Sequence, residues 1–138
     1  MTVYFEDMEI GRTAEFAKTI TEADVTLFAG VSGDHNPIHT NQEYAAATAF
    51  GGRIAHGILT ASLISAVLGM HMPGTGAIYV SQSLKFRAPV RIGDTVTARA
   101  VVKDRDPARK RVVLETSCLV GGKVVLEGEA VVIAPSRG

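Results

Sequence analysis

Gly57-Ile58-Leu59-Thr60-Ala61-Ser62-Leu63-Ile64-Ser65-Ala66-Val67-Leu68-Gly69-Met70 carries no charged side chain and no proline, and its apolar residues fall on every side of a helical wheel. A helix without a polar face has to be enclosed by other structure, because water on any side would meet hydrocarbon. The wider apolar stretch from Ile54 to Met72 is interrupted by His56 and His71 and broken by Gly57 and Gly69. A membrane span needs about 20 mostly apolar residues, and this stretch runs straight on into a turn and strands. The pattern predicts a buried helix of a soluble domain.

What encloses the helix follows it in the chain. After Pro73-Gly74-Thr75-Gly76 come four runs with strand character: Ala77 to Phe86, Thr95 to Lys103, Arg111 to Val120 and Lys123 to Ala134. Their separators are turn formers, namely Pro89 with Gly93-Asp94, Asp106-Pro107 and Gly121-Gly122. Two glycines between alternating runs are a strong hairpin signal. The economical architecture is an α+β domain in which an antiparallel β-sheet wraps around one long central apolar helix, with residues 1–138 as a single domain.

Upstream, Thr13 to Thr19 alternates weakly and reads as a first strand. Thr21-Glu22-Ala23-Asp24 has the form of a capping box, and Val25, Phe28, Ala29 and Ser32 then share a helical face. Gly33 ends that helix, and Pro37 is expected to keep the next residues extended. Asn41 can cap a short helix through Tyr44 and the alanines that follow, and Gly51-Gly52 breaks it.

Composition narrows the functional classes. Fourteen basic and fourteen acidic side chains give no net charge, whereas proteins held to nucleic acid or an anionic membrane normally carry a basic excess. No nucleic-acid or membrane partner is expected. Apolar residues make up 46% of the chain, enough for a packed core. A single cysteine, Cys118, excludes an intrachain disulfide framework and multi-cysteine metal sites. Met1 to Ile10 holds Glu6, Asp7 and Glu9 and no apolar run, so no secretory leader is expected and the cytoplasm is the expected compartment.

The polar residues that call for a chemical reading precede the central helix: Gly33-Asp34-His35-Asn36-Pro37-Ile38-His39. Asp34 and His39, five positions apart across a proline-restrained loop, can converge on one small volume, and Asp34 sits at a helix C-terminal end, where the macrodipole opposes its charge. A carboxylate and an imidazole so placed suit general acid–base work. The same residues can also be plain turn formers, with His39 a surface or satisfied buried histidine. Gly57 opens the central helix, so its amide lies among unpaired N–H groups at a positive dipole end, where a developing oxyanion is stabilised. Close helix packing is the other reason to place a glycine there. Ser65, two turns on, can hydrogen-bond across a pocket or back to its own helix. His56 and His71 have no carboxylate or cysteine at ligand spacing, so no metal site is expected.

Asp34-His35-Asn36-Pro37-Ile38-His39, Ala55-His56-Gly57, and Ser81-Gln82-Ser83-Leu84-Lys85-Phe86 followed by Pro89-Val90 and Gly93-Asp94 resemble the MaoC-like hot-dog hydratases, in particular short (R)-specific enoyl-CoA hydratases. The resemblance runs from the Thr21 helix to the last strand. It implies reversible addition of water to a trans-2-enoyl-CoA, giving the (R)-3-hydroxyacyl-CoA, with no cofactor beyond the CoA carried by the substrate. It also implies that Asp34 and His39 are the catalytic pair, that the Gly57 amide binds the thioester oxygen, and that Ser65 lies near the pair. From the residues themselves, Asn36 is the natural orienter of the loop through its side-chain amide.

Three other readings stay open: a 3-hydroxyacyl-ACP dehydratase of the same fold, an acyl-CoA thioesterase, and a non-catalytic acyl-carrier-binding subunit. A thioesterase would aim water at C1 and fits poorly with a pair placed for C3, while a scaffold has no need of Asp34 and His39. A homodimer is expected, since one helix on one sheet of this size leaves apolar area and a strand edge uncovered.

Overall fold

A computed structural model describes all 138 residues. The element order is a 3₁₀ turn at Phe5–Asp7, β1 (Thr13–Thr19), α1 (Glu22–Ser32), α2 (Pro37–Thr40), α3 (Gln42–Ala46), α4 (Gly57–Met70), β2 (Ile78–Gln82), β3 (Lys85–Phe86), β4 (Thr95–Asp106), β5 (Arg111–Val120) and β6 (Lys123–Ile133). The strands form one antiparallel sheet in the order β1-β4-β5-β6-β2, with β3 also paired to β6.

The sheet curls over α4, which packs on β1, β4 and β5. From α4 the side chains of Thr60, Leu63, Ile64, Val67 and Leu68 are buried, a spacing of three and four that makes a single stripe. They meet the inward-facing residues of the sheet: Val96, Ala98, Ala100 and Val102 of β4, and Val112, Leu114, Thr116 and Cys118 of β5. Small alanines at the middle of β4 let the helix approach closely. Burial pushes the Cys118 thiol up to about 12, so it carries no thiolate at neutral pH and behaves as a small apolar group.

The enclosure is one-sided. Ile58, Ser62, Ser65, Gly69 and Met70 on the outer face of α4 are exposed, because a single curled sheet covers only the stripe that faces it. The expectation of a fully enclosed helix therefore holds within this chain for the inner face alone.

Local chemistry explains most element ends. Thr21 Oγ1 accepts from the Asp24 N–H at 3.1 Å and the Asp24 carboxylate accepts from the Thr21 N–H at 2.9 Å, a complete capping box. Lys18 Nζ, 2.6 Å away, and that N–H hold the Asp24 carboxyl below its usual range. Gly121 and Gly122 both have positive φ, 56° and 78°, as a two-residue hairpin turn between β5 and β6 requires.

Two expectations are corrected. Pro37 does not keep the chain extended; it is the first residue of α2, where its missing N–H costs nothing, and Asn36 caps the turn by accepting from the Ile38 N–H at 3.1 Å. The run from Ala77 to Phe86 is two strands rather than one. At the break the Ser83 carbonyl lies against Gly128 of β6, and a Cβ on Gly128 would fall 1.8 Å from that oxygen.

Gly128→Ala is therefore expected to destabilise the fold by about 3 kcal/mol or more, since the obstacle is rigid backbone and not a mobile side chain. Equilibrium urea unfolding measures it, and a variant as stable as the parent would show that the close approach is not required.

Candidate active site

The loop between α1 and α2 and the segment entering α4 are laced together by main-chain polar groups. Ile54 N–H donates to the Ile38 carbonyl at 3.2 Å and Ala55 N–H to the Val90 carbonyl at 2.7 Å. Arg53 adds a clamp, with Nε on the His39 carbonyl and Nη2 on Glu22, each at 2.7 Å. The segment Arg53 to His56 is thus threaded between α2 and the loop after β3. It delivers His56 and Gly57 next to the Asp34–His39 loop, although more than fifteen positions separate them in sequence.

His39 is buried, 9% exposed, and its Nδ1 lies 2.7 Å from the Ile54 carbonyl. A carbonyl only accepts, so Nδ1 carries the proton and, in the neutral ring, Nε2 presents a lone pair. Asp34 is exposed. Its Oδ1 accepts from the Asn36 N–H at 3.1 Å, and its own N–H donates to Ser32 Oγ at 3.1 Å. Donor atoms of Asp34, His39 and His56 all lie within 4.8 Å of one another.

This brings together two of the residues singled out from sequence and adds a third, His56. The sequence offered no carboxylate at ligand spacing from His56; the fold brings Asp34 to it. His56 is 2% exposed, its Nε2 donates to the Asp34 carbonyl at 2.9 Å, and its ring stacks on that of His39 with centroids 3.9 Å apart and planes 26° apart. With His39 Nδ1 and His56 Nε2 committed to carbonyls, the remaining ring nitrogens lie in nearly parallel planes. Lone pairs so oriented do not converge on one ion about 2 Å from each, which a zinc-type site demands.

Beside the pair lies a largely apolar cavity of about 510 Å³, lined by His39, Phe50, Ile54, Gly57, Phe86 and Leu126 among others. The N-terminus of α4 opens into it. The Gly57, Ile58 and Leu59 N–H groups donate to nothing in the chain, and no side chain caps the helix. A Cβ on Gly57 would fall 2.6 Å from the Phe86 ring, so glycine both exposes the amide and leaves room for that ring. Thr60, which the sequence reading passed over, also lines this cavity; its hydroxyl is buried and unpartnered.

Ser65 is not brought to the pair. It is exposed on the outer face of α4 and lines a separate, shallower hollow of about 330 Å³ with Ile58, Tyr79 and Leu84. Asn36 acts on the loop through its cap on α2 and does not line the large cavity.

An antiparallel sheet curled over one long helix defines a protein of the hot-dog fold, and here His39, with Asp34 beside it, lines an apolar cavity. Within that fold the chain belongs to the MaoC-like domain family, whose model matches residues 6–123. It is 60% identical to an (R)-specific enoyl-CoA hydratase of Rhodospirillum rubrum, over 98% of this chain and 94% of that one. It is 53% identical to a 3-hydroxybutyryl-CoA dehydratase of Methylorubrum extorquens, over 98% and 86%. A solved structure of an (R)-hydratase from A. caviae involved in PHA biosynthesis superposes with a TM-score of 0.92 at 42% identity, covering 94% of this chain and 99% of that one.

The hydrogen bonds assign a tautomer that is directly observable. Long-range ¹H–¹⁵N spectra of the neutral rings are expected to show His39 as the Nδ1–H form and His56 as the Nε2–H form. A dominant Nε2–H signal for His39 would contradict the geometry.

Proposed function

We propose that this protein is an (R)-specific enoyl-CoA hydratase, adding water reversibly to a trans-2-enoyl-CoA to give the (R)-3-hydroxyacyl-CoA without a metal or redox cofactor. The observation that carries the proposal is that His39, with the Asp34 carboxylate close beside it, lines an apolar cavity into which the free Gly57 N–H opens. The relatives named as hydratase and dehydratase, which run one reaction in opposite directions, support the same chemistry.

The residues divide the work as follows. Water sits between the Asp34 carboxylate and His39 Nε2, the ring nitrogen left free by the Ile54 carbonyl. As the water oxygen bonds to C3, His39 takes its proton, and the electron pair of the double bond moves through C2 and C1 to the thioester oxygen. The Gly57 N–H stabilises that enolate at the positive end of α4. The proton, held between His39 and Asp34, then passes to C2 and restores the thioester. One water is consumed, its hydroxyl at C3 and its proton at C2. Asn36 holds the loop, and the apolar wall takes the acyl chain.

The assembly we propose is a homodimer. β2 is the last strand of the sheet and exposes Ile78, Tyr79 and Val80, and beside it lies the uncovered face of α4 with Ile58 and Met70. An apolar patch next to a free strand edge suits pairing with a second copy. Ser65 faces that surface, so any part it has in a site is played at the subunit boundary. No helix is long and apolar enough to cross a membrane. One buried thiol and a CoA-linked substrate fit a cytoplasmic enzyme.

With crotonyl-CoA, the enoyl-thioester absorbance is expected to fall on adding the protein, and Asp34→Asn and His39→Ala are each expected to lower the rate by about 10²–10⁴-fold while remaining folded. Release of free thiol instead would indicate a thioesterase, and near-parental rates in folded Asp34→Asn would remove the mechanism. Gly57→Val places a side chain where the oxygen binds and against Phe86. Its rate is expected to fall by about 10²-fold or more, on the scale of a lost oxyanion donor, with only a small change in melting temperature. Wholesale unfolding would mean that the glycine serves packing alone. Sedimentation at micromolar concentration is expected to give twice the chain mass, and a fully active monomer would contradict the dimer.

A further inference from the structure

Among the hydrogen bonds made by residues 33–36, between α1 and α2, all but one stay within five positions of the chain. Asp34 N–H reaches Ser32, His35 N–H reaches Gly33, and Asn36 N–H reaches Asp34, all within two residues. The exception is His56 Nε2 to the Asp34 main-chain carbonyl, 2.9 Å across 22 positions. The same ring stacks on His39 at 3.9 Å and is backed by Phe28 at 4.8 Å, so it lies between α1 and the catalytic histidine. His56 is moreover the residue before Gly57, at the N-cap of α4, yet its side chain does not cap the helix. Its Nδ1 is buried without a partner, which marks a ring oriented by the stack and the Nε2 bond and not by a need to satisfy both nitrogens.

We infer that His56 is a positioning residue that ties the acid–base pair to the oxyanion-binding end of α4. One ring holds Asp34 through its carbonyl and His39 through its face, while its backbone continues directly into the Gly57 amide. The thioester oxygen and C3 of one substrate are therefore set against groups whose spacing a single residue fixes. The inference rests on the hydratase reading of this site. It also explains why a buried histidine stands where an ordinary helix would carry a capping serine or aspartate.

The test compares His56→Phe, which keeps the aromatic face and the volume but removes the donor, with His56→Gln, whose amide nitrogen takes the place of Nε2. Hydration of crotonyl-CoA is measured for each together with the melting temperature. A misplacement on the order of 1 Å costs about 10²-fold in rate, so His56→Phe is expected to lose at least about tenfold in kcat with KM within about twofold, and His56→Gln to recover most of that loss. The inference is overturned if folded His56→Phe keeps the parental kcat. It is equally overturned if the two variants lose activity alike or in step with melting temperature, which is what packing alone would give. Absence of hydration by the parent protein is a different failure, since it removes the hydratase reading and this inference with it.

Discussion

The first turn of α4 governs the site. A 14-residue helix ends in N–H groups that carry a partial positive charge, and proteins ordinarily cover them with a capping side chain. Here Gly57, Ile58 and Leu59 keep theirs free, and the cavity stands in front of them. Such an arrangement is stable in water only if the groups are hydrated until a ligand oxygen replaces the water. The rest of the chain is built around keeping this end both open and aimed. The sheet grips the buried stripe of α4, the Arg53–His56 segment is pinned from both sides, and Gly57 withholds the side chain that would close the approach.

The fold was legible in the sequence because its signals were strong and independent. An uncharged apolar helix demanded cover, and four runs with turn chemistry between them could supply it. Gly121-Gly122 and the Thr21–Asp24 capping box were realised as their residue types require. Two expectations failed, one because a second local rule outweighed the first and one because a distant strand intervened. Pro37 restrains the residue before it, but it also suits the first position of a helix, and the Asn36 cap decided between the two. The break between β2 and β3 has no sequence signal of its own, because it depends on the Ser83 carbonyl passing over Gly128 in another strand.

The site was legible in part. Spacing on one loop singled out Asp34 and His39, and place at the start of the helix singled out Gly57. Turn formation and close packing explain those residues equally well from sequence, and only the family resemblance favoured the catalytic reading. His56 was not singled out, because its partners lie 17 and 22 positions away and the connection runs through a main-chain carbonyl and a ring face, neither of which leaves a residue-type signature. Thr60 was hidden among the apolar residues of the helix for the same kind of reason. Ser65 shows the converse: its position on the helix is plain from sequence, but it faces away from the cavity, on the surface left open beside β2.

The central claim is that one substrate bridges the free end of α4 and the Asp34–His39 pair. The crystal structure of the Asp34→Asn variant soaked with crotonyl-CoA tests it most directly. The account predicts the thioester oxygen about 2.7–3.1 Å from the Gly57 nitrogen, the acyl chain in the apolar cavity, and C3 facing His39 Nε2. A thioester bound with its oxygen turned away from Gly57, or with C1 and not C3 presented to the pair, would contradict it.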